Sequence, residues 1–289
     1  MSRGNIAIWF DPATQWYAPS KGKQGRNQTY SDAAIQCCLM IKSLFRLSLR
    51  MVTGFVQSLI KLCGLNWTAP DYSTLCRRQK HIDIAISYQK SSDGLHLLMD
   101  STGMKFLGEG EWKRKKHGPE YRRQWRKLHI GIDAKTLQIR AVQLTTNNVS
   151  DSQVLGDLLN QIPQDEQIDS VYTDGAYDTK QCRQVIADRQ AHAVIPPRKN
   201  AKPWKDTKSS SLERNELLRT VKHLGRTLWK KWSGYHRRSL VETKMHCIKL
   251  LGDKLMARSF PSQVNEIHAR VAVLNRFTEL GRPLTQVTP

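Results

Sequence analysis

The 289-residue sequence lacks the features of membrane and secreted proteins. Its most apolar stretch, residues 39–65, is interrupted by Lys42, Arg46, Arg50 and Lys61, so it does not predict a membrane-spanning helix. The first ten residues have neither a long apolar core nor a small-residue cleavage site, and they do not predict a signal peptide. We therefore expect no membrane partner.

Paired-cysteine motifs and the glycine-rich loops that bind nucleotides are also missing. The six cysteines form no C-x-x-C pair and no zinc-like spacing with histidine, which favours reduced thiols in a cytosolic protein. Neither a G-x-x-x-x-G-K-[ST] loop nor a G-x-G-x-x-G loop occurs. The sequence thus gives no indication of zinc binding, nucleotide hydrolysis or dinucleotide binding.

Acidic residues are scarce. The chain has 46 Lys and Arg against 25 Asp and Glu, a formal charge of +21, while 39% of its residues are hydrophobic and its mean hydropathy is −0.54. This composition is too apolar for a disordered chain and too polar for a membrane bundle. Because this many positive side chains repel one another in a folded chain, we expect a polyanionic partner, and nucleic acid is the commonest one.

Residues 31–90 predict three short helices, of which the last carries Arg77 and Arg78. A basic third helix indicates a helix-turn-helix-like DNA-binding unit, although a plain helical subdomain with a solvated basic face stays open. The change of pattern along the chain predicts three parts. They are an arm and helical DNA-binding domain at 1–92, a catalytic domain at 93–260, and a C-terminal helix and tail at 261–289.

Strands and helices alternate from residue 93 onward, which predicts an α/β fold with a mixed sheet flanked by helices. We expect a strand that ends at Asp100, two strands at 127–133 and 138–144, and, after a helix, a strand at 168–173. Another helix and a short strand, 179–190 and 193–196, follow. A basic, poorly periodic stretch separates them from helices at 239–256 and 265–280.

Two aspartates follow apolar strands in equivalent places, Asp100 in LMDST and Asp174 in YTDGA. If these strands are parallel neighbours, both carboxylates meet at one carboxyl edge of the sheet, where α/β sheets bind ligands. Gly175 would let a ligand approach the backbone closely. Each aspartate taken alone is more typical of a turn residue or a helix cap.

A third carboxylate, Glu242, lies in the predicted long helix. On one helix, intervals of seven place Tyr235, Glu242 and Lys249 on nearly the same face, with Arg238 one turn before Glu242. An exposed, salt-bridged helix face is the alternative. Three carboxylates from two strands and a helix would suit Mg²⁺, and two such ions can activate an attacking oxygen and stabilise a leaving one.

With these motifs, the sequence resembles the DDE transposases of bacterial insertion sequences, in insertion-sequence family five. The resemblance covers most of residues 30–280. Besides both Asp motifs and the Tyr/Arg/Glu/Lys spacing, it includes residues 108–112 (GEGEW), 125–129 (WRKLH), 194–198 (VIPPR) and 232–238 (WSGYHRR).

The resemblance implies a ribonuclease-H-like catalytic fold that cleaves and transfers DNA strands at element ends with divalent metal, two ions of Mg²⁺ or Mn²⁺. It makes Asp100, Asp174 and Glu242 the catalytic, metal-binding acids. Tyr235, Arg238 and Lys249 become motif residues near the DNA end.

Two basic segments with interleaved aromatic residues agree with a DNA partner. Residues 112–127 carry eight Lys and Arg against one Glu, and residues 198–238 carry thirteen against three acids. Cations can bind phosphates while aromatic rings stack on bases, although a solvated charged face is the alternative. The candidate DNA contacts in the first segment are Lys113, Arg114, Lys115, Arg122, Arg123, Trp125 and Arg126.

These features favour a metal-dependent transposase that binds terminal inverted repeats in double-stranded DNA, both element ends and target. A homodimer on paired ends is the simplest symmetric assembly. We expect the protein in the bacterial cytoplasm, associated with the nucleoid. A DNA nuclease on the same fold and a non-catalytic DNA-binding repressor remain the alternatives.

Overall fold

The computed structural model describes residues 13–20, 22, 27–90, 93–108, 115–116, 118, 124–205 and 208–281. The helices are α1 (Asp32–Phe45), α2 (Leu49–Leu62), α3 (Tyr72–Arg78), α4 (Asp151–Asn160), α5 (Lys180–Asp188), α6 (Ser209–Leu224), α7 (Arg226–Trp232), α8 (Ser239–Leu250) and α9 (Phe260–Glu279). The strands are β1 (Leu95–Phe106), β2 (Arg126–Asp133), β3 (Ile139–Thr146), β4 (Ile168–Tyr172), β5 (His192–Val194) and β6 (Lys254–Leu255).

The chain forms two compact units. The first combines residues 1–87, 105–121 and 247–289, and the second combines residues 88–104 and 122–246. None of the helices in the described ranges is both long and apolar enough to cross a membrane.

The first unit contains the N-terminal helices and α9. The three N-terminal helices begin at Ser31, Ser48 and Asp71, whose side chains accept hydrogen bonds from backbone amides of the first turn. Their apolar faces close around Ile35, Val56 and Leu75, together with apolar side chains of α9. The helical N-terminal region predicted from the sequence is therefore confirmed.

The second unit contains a mixed sheet in the order β3-β2-β1-β4-β5. Strands β1, β2 and β3 pair antiparallel, whereas β1, β4 and β5 pair parallel. Helices α4 and α5 pack their apolar residues, such as Leu158 and Ile186, on one face of the sheet against Leu97 and Val171. The predicted mixed sheet flanked by helices is confirmed.

Three predicted boundaries were wrong, each for a local reason. Strand β1 does not end at Asp100, because its antiparallel pairing with β2 continues to Met104. The helix predicted to reach residue 256 ends at Leu250, because the chain then forms β6, whose Leu255 pairs with Phe106. The basic stretch left unassigned contains α6 and α7, and α6 buries polar residues that hide the apolar pattern.

Candidate active site

The sheet brings Asp100 and Asp174 to the same edge and the same face. The parallel ladder between β1 and β4 ends with the pair Leu98 and Tyr172, and each aspartate lies two residues beyond its member of that pair. Because side chains alternate along a strand, residues two apart point to one face. The predicted parallel neighbourhood of the two strands is thus confirmed.

Both aspartates also accept backbone hydrogen bonds. Asp100 Oδ1 accepts one from the amide of Ser101 at 2.8 Å, and Asp174 Oδ1 accepts one from the amide of Ala176 at 2.9 Å. Asp174 therefore caps the 3₁₀ turn Gly175–Tyr177, as the cap alternative suggested. A side chain on Gly175 would place its Cβ 3.4 Å from the carbonyl oxygen of Pro196, so this glycine admits a close backbone neighbour.

Arg238 joins two of the three predicted acids. Its guanidinium donates to Asp100 Oδ2, and it donates to Glu242 Oε1 at 2.8 Å. The side chains of Asp100 and Arg238 are largely buried, whereas that of Glu242 is 57% exposed. The Asp100 contact is therefore the stronger of the two, because water screens an exposed pair.

The segment before α8 differs from the expectation of one continuous helix. Gly234 has a φ of 65°, and the residues from Tyr235 to Arg238 form a 3₁₀ turn. The ring of Tyr235 is buried, 5.5 Å from the ring of Trp229 between centroids. Burial raises the pKa of the Tyr235 hydroxyl. Lys249 lies in the last turn of α8, seven residues after Glu242.

The electrostatics of the site favour a cation beside Asp100. Burial raises the pKa of this carboxyl and the Asp174 carboxylate raises it further, while the Arg238 guanidinium opposes both effects. Burial alone would lower the pKa of Arg238, but Asp100, Tyr235 and Glu242 together outweigh it and the pKa is raised. Positive charge at this place stabilises the ionised form of Asp100.

The three acids fit a divalent metal by donor type, since carboxylate oxygens are the ligands that Mg²⁺ prefers. Within the described ranges, no three His, Cys, Asp or Glu side chains are grouped closely enough to hold a metal ion. Arg238 supplies the positive charge next to Asp100 and Glu242 in this arrangement.

A polar network that the sequence did not reveal lies on the opposite face of the sheet. Asp151, the first residue of α4, accepts hydrogen bonds from Ser101 Oγ and Lys127 Nζ, each at 2.9 Å. Buried His129 has its Nδ1 3.6 Å from the same carboxylate oxygen, and burial lowers its pKa to about 4. The network fixes the residue directly after Asp100.

Tyr177 is a buried residue near the carboxylates of the site. Its buried hydroxyl has no hydrogen-bond partner among the described residues. Burial raises its pKa, and the carboxylates of Asp151, Asp100 and Asp174 raise it further, in that order. The only sequence signal for Tyr177 was its place in the segment that follows Asp174.

A cationic cavity of about 480 Å³ is lined in part by Gly175 and Ala176, which directly follow Asp174 in the chain. Arg198, Lys199, Arg226 and Lys230 line it, and no acidic side chain belongs to the lining formed by the described residues. Arg198 donates to the carbonyl oxygens of Gly175 and Ala176 at 3.1 and 3.0 Å, which places its positive charge beside the turn that follows Asp174. The sequence predicted basic residues in this stretch, but not these four together.

The other predicted DNA contacts are distributed over both units. Arg77 is exposed, whereas Arg78 binds the carbonyl oxygen of Tyr30 and the carboxylate of Asp32. Trp125 is 43% exposed, and Arg126 is half-buried. Lys115 is exposed. The remaining four lie outside the described residues; they are Lys113, Arg114, Arg122 and Arg123.

Several solved structures are distantly similar to this chain, and two of them illustrate the likeness. A chain of the simian T-cell lymphotropic virus intasome in complex with PP2A regulatory subunit B56 gamma is 15% identical, with 75% of this chain and 74% of that chain covered and a TM-score of 0.25. A chain of the Drosophila P element transposase strand transfer complex is 10% identical, with 90% and 82% covered and a TM-score of 0.33. These scores are too low to carry an assignment.

Family models give the assignment. A model described as "Transposase DDE domain" matches residues 91–276, well over half of the chain and the whole segment that holds Asp100, Asp174 and Glu242. A second model with the same description matches residues 1–109. The chain therefore belongs to the DDE transposase family.

Proposed function

We propose that the chain is the transposase of a bacterial insertion sequence of family five, which binds terminal inverted repeats and cleaves and transfers their strands. The observation that supports this most is the register of the parallel ladder, which sets Asp100 and Asp174 side by side next to Arg238 and Glu242. A repressor that never cuts DNA has no need for two aligned aspartates at one sheet edge with a third acid joined to one of them through Arg238.

In this proposal Asp100, Asp174 and Glu242 hold two divalent ions, Mg²⁺ or Mn²⁺. When bound, the ions supply Lewis-acid charge to the attacking and leaving oxygens. Arg238 balances the acids before the metal and DNA arrive, and it positions Glu242 through the 2.8 Å hydrogen bond. The hydrogen bond from Ser101 to Asp151 fixes Ser101 and thereby the backbone of the neighbouring Asp100.

The chain's own cations position the DNA. The cavity formed by Arg198, Lys199, Arg226 and Lys230 offers four positive charges for backbone phosphates beside Asp174. Exposed Trp125 and Trp232 provide rings for stacking on unpaired bases. Arg77 presents a cation from the N-terminal helices, where we place preference for the repeat.

Two copies of the chain on paired ends complete the proposal, since two ends must be joined to one target and a two-fold dimer is the simplest symmetric solution. The net charge of +21 supports association with the nucleoid in the bacterial cytoplasm.

A strand-transfer assay tests the proposal. The full chain is incubated with labelled ends of its own element, unlabelled target DNA and Mg²⁺, and the products are separated on denaturing and native gels. Joined end–target products are expected. Cut ends without joining would favour a nuclease, and a shifted complex without cutting would favour a repressor; either result contradicts the proposal.

A further inference from the structure

The first unit contains a second cationic cavity, of about 360 Å³. Five Lys and Arg side chains line it against two acids, Asp253 and Glu266. All of its lining residues belong to that one unit, which the proposed catalytic chemistry does not use. The excess of positive charge over negative charge makes the cavity a candidate site for an anion.

The buried side chain of Lys42 is the main evidence for an anion in this cavity. Its side chain is only 9% exposed, yet its ammonium has no hydrogen-bond partner among the described residues. The nearest carboxylate oxygen, Glu266 Oε1, is 3.8 Å from Nζ. A largely buried ammonium whose nearest carboxylate oxygen lies beyond normal hydrogen-bond distance has donors left for a further acceptor.

Glu266 cannot meet that need, because its oxygens are already bound. They accept from the amides of Met256 and Ala257, the latter at 2.9 Å, and from the Arg270 guanidinium at 2.8 Å. Its charge therefore mainly compensates Arg270. Glu266 thus compensates Lys42 only in part, through the ion pair at 3.8 Å.

Arg270 adds a second unfilled donor. Its terminal nitrogens bind the carbonyl oxygens of Gly252 and Lys254 as well as Glu266, but its buried Nε has no hydrogen-bond partner in the part of the chain that the structure describes. Burial lowers the pKa of Lys42, the Glu266 carboxylate raises it, and the charge of Arg270, which repels the ammonium, lowers it. Arg46 adds to the repulsion on Arg270.

We propose that this cavity binds a phosphate group, with Lys42 and Arg270 as its principal ligands. A phosphate offers several acceptor oxygens and negative charge, which complements two buried donors inside a ring of cations. The group belongs either to a DNA backbone or to free phosphate. Only the DNA source rests on the proposed function.

Inorganic phosphate is the probe for the first experiment. Thermal unfolding of the full chain is measured in phosphate and in chloride at equal ionic strength, and phosphate affinity is measured by titration calorimetry. A ligand that binds only the folded chain raises its midpoint temperature. Phosphate should raise the midpoint of the wild type, and Lys42→Gln should lose this rise and about tenfold or more in affinity.

Two further variants make the test decisive. Lys61→Gln removes an exposed cation of α2 outside the cavity and should keep the phosphate affinity of the wild type. Lys105→Gln removes an exposed cation of the lining and should weaken binding severalfold, so it carries the test if Lys42→Gln does not fold. A wild type that does not bind phosphate, or cavity variants that bind it normally, would overturn the proposal.

The salt dependence of DNA binding separates the two sources. If the group is a backbone phosphate, Lys42→Gln should lower the log–log slope of affinity against salt by about 0.9, and DNA should displace inorganic phosphate. If it is free phosphate, the slope should stay unchanged and DNA should not compete. Strand-transfer activity is scored separately, so failure of the catalytic proposal leaves this result interpretable.

Discussion

Replacing Arg238 by Gln tests the charge balance of the site. The change removes the cation that binds Asp100 and Glu242 but keeps a polar side chain of similar length. Loss of a hydrogen-bonded, largely buried cation from Asp100 should cost about 2 kcal/mol of unfolding free energy. The exposed Glu242 contact should add only a few tenths of a kcal/mol.

A loss of this size should lower the midpoint of thermal unfolding by roughly 4–8 °C. The assay is differential scanning calorimetry of the wild type and the variant, once with EDTA and once with saturating Mg²⁺. Because a divalent ion supplies the missing positive charge to the acids, Mg²⁺ should recover part of the loss in the variant.

The neighbouring Arg237 provides a matched control, since it is exposed and belongs to the same 3₁₀ turn. Arg237→Gln should unfold at the wild-type midpoint in both buffers. Equal destabilisation of Arg238→Gln with and without Mg²⁺ would refute the reasoning, because it would show that metal and guanidinium do not serve the same carboxylates.

Three other predictions concern the second unit. Leu158→Ala should lower the unfolding free energy in urea by about 2–5 kcal/mol, whereas Leu212→Ala, at a 52% exposed position, should change it by no more than about 0.5 kcal/mol. Tyr177→Phe removes a buried hydroxyl that lacks a partner among the described residues and should raise stability by about 1 kcal/mol in the same assay; a clear loss would show that the hydroxyl is bonded. Because burial lowers the pKa of His129 from 6.5 to about 4, the unfolded chain binds this proton more tightly, and stability should fall as the pH drops through that window. His129→Gln should flatten this fall and exposed His246→Gln should not; equal slopes would contradict the assignment.

The sequence predicted that Asp100 and Asp174 follow neighbouring parallel strands, because this signal is local. An apolar run followed by an aspartate occurs twice, and the parallel pairing of β1 with β4 aligned the two positions. The end of β1 was placed too early, because pairing with β2 beyond Asp100 depends on a partner strand that follows later in the chain. Periodicity within one segment cannot show such pairing.

Buried polar residues explain what the sequence did not reveal. In α6, Arg214 pairs with Asp178, and Asn215 binds the backbone of Trp204. Polar residues therefore occupy buried positions of this helix and mask its hydrophobic periodicity. The contact of Asp151 with Lys127 joins residues 24 apart in the chain. These contacts are defined only by the fold.

Cleavage by single-carboxylate variants tests the central claim most directly. Asp100→Asn, Asp174→Asn and Glu242→Gln are compared with Asp157→Asn, which removes an exposed acid of α4, on labelled element ends with Mg²⁺. The three site variants should bind the ends with nearly wild-type affinity and yield no cut or joined product, because affinity comes mainly from Lys and Arg contacts to phosphates. Asp157→Asn should stay active. Cleavage by any of the three at the wild-type rate would contradict the account of the site.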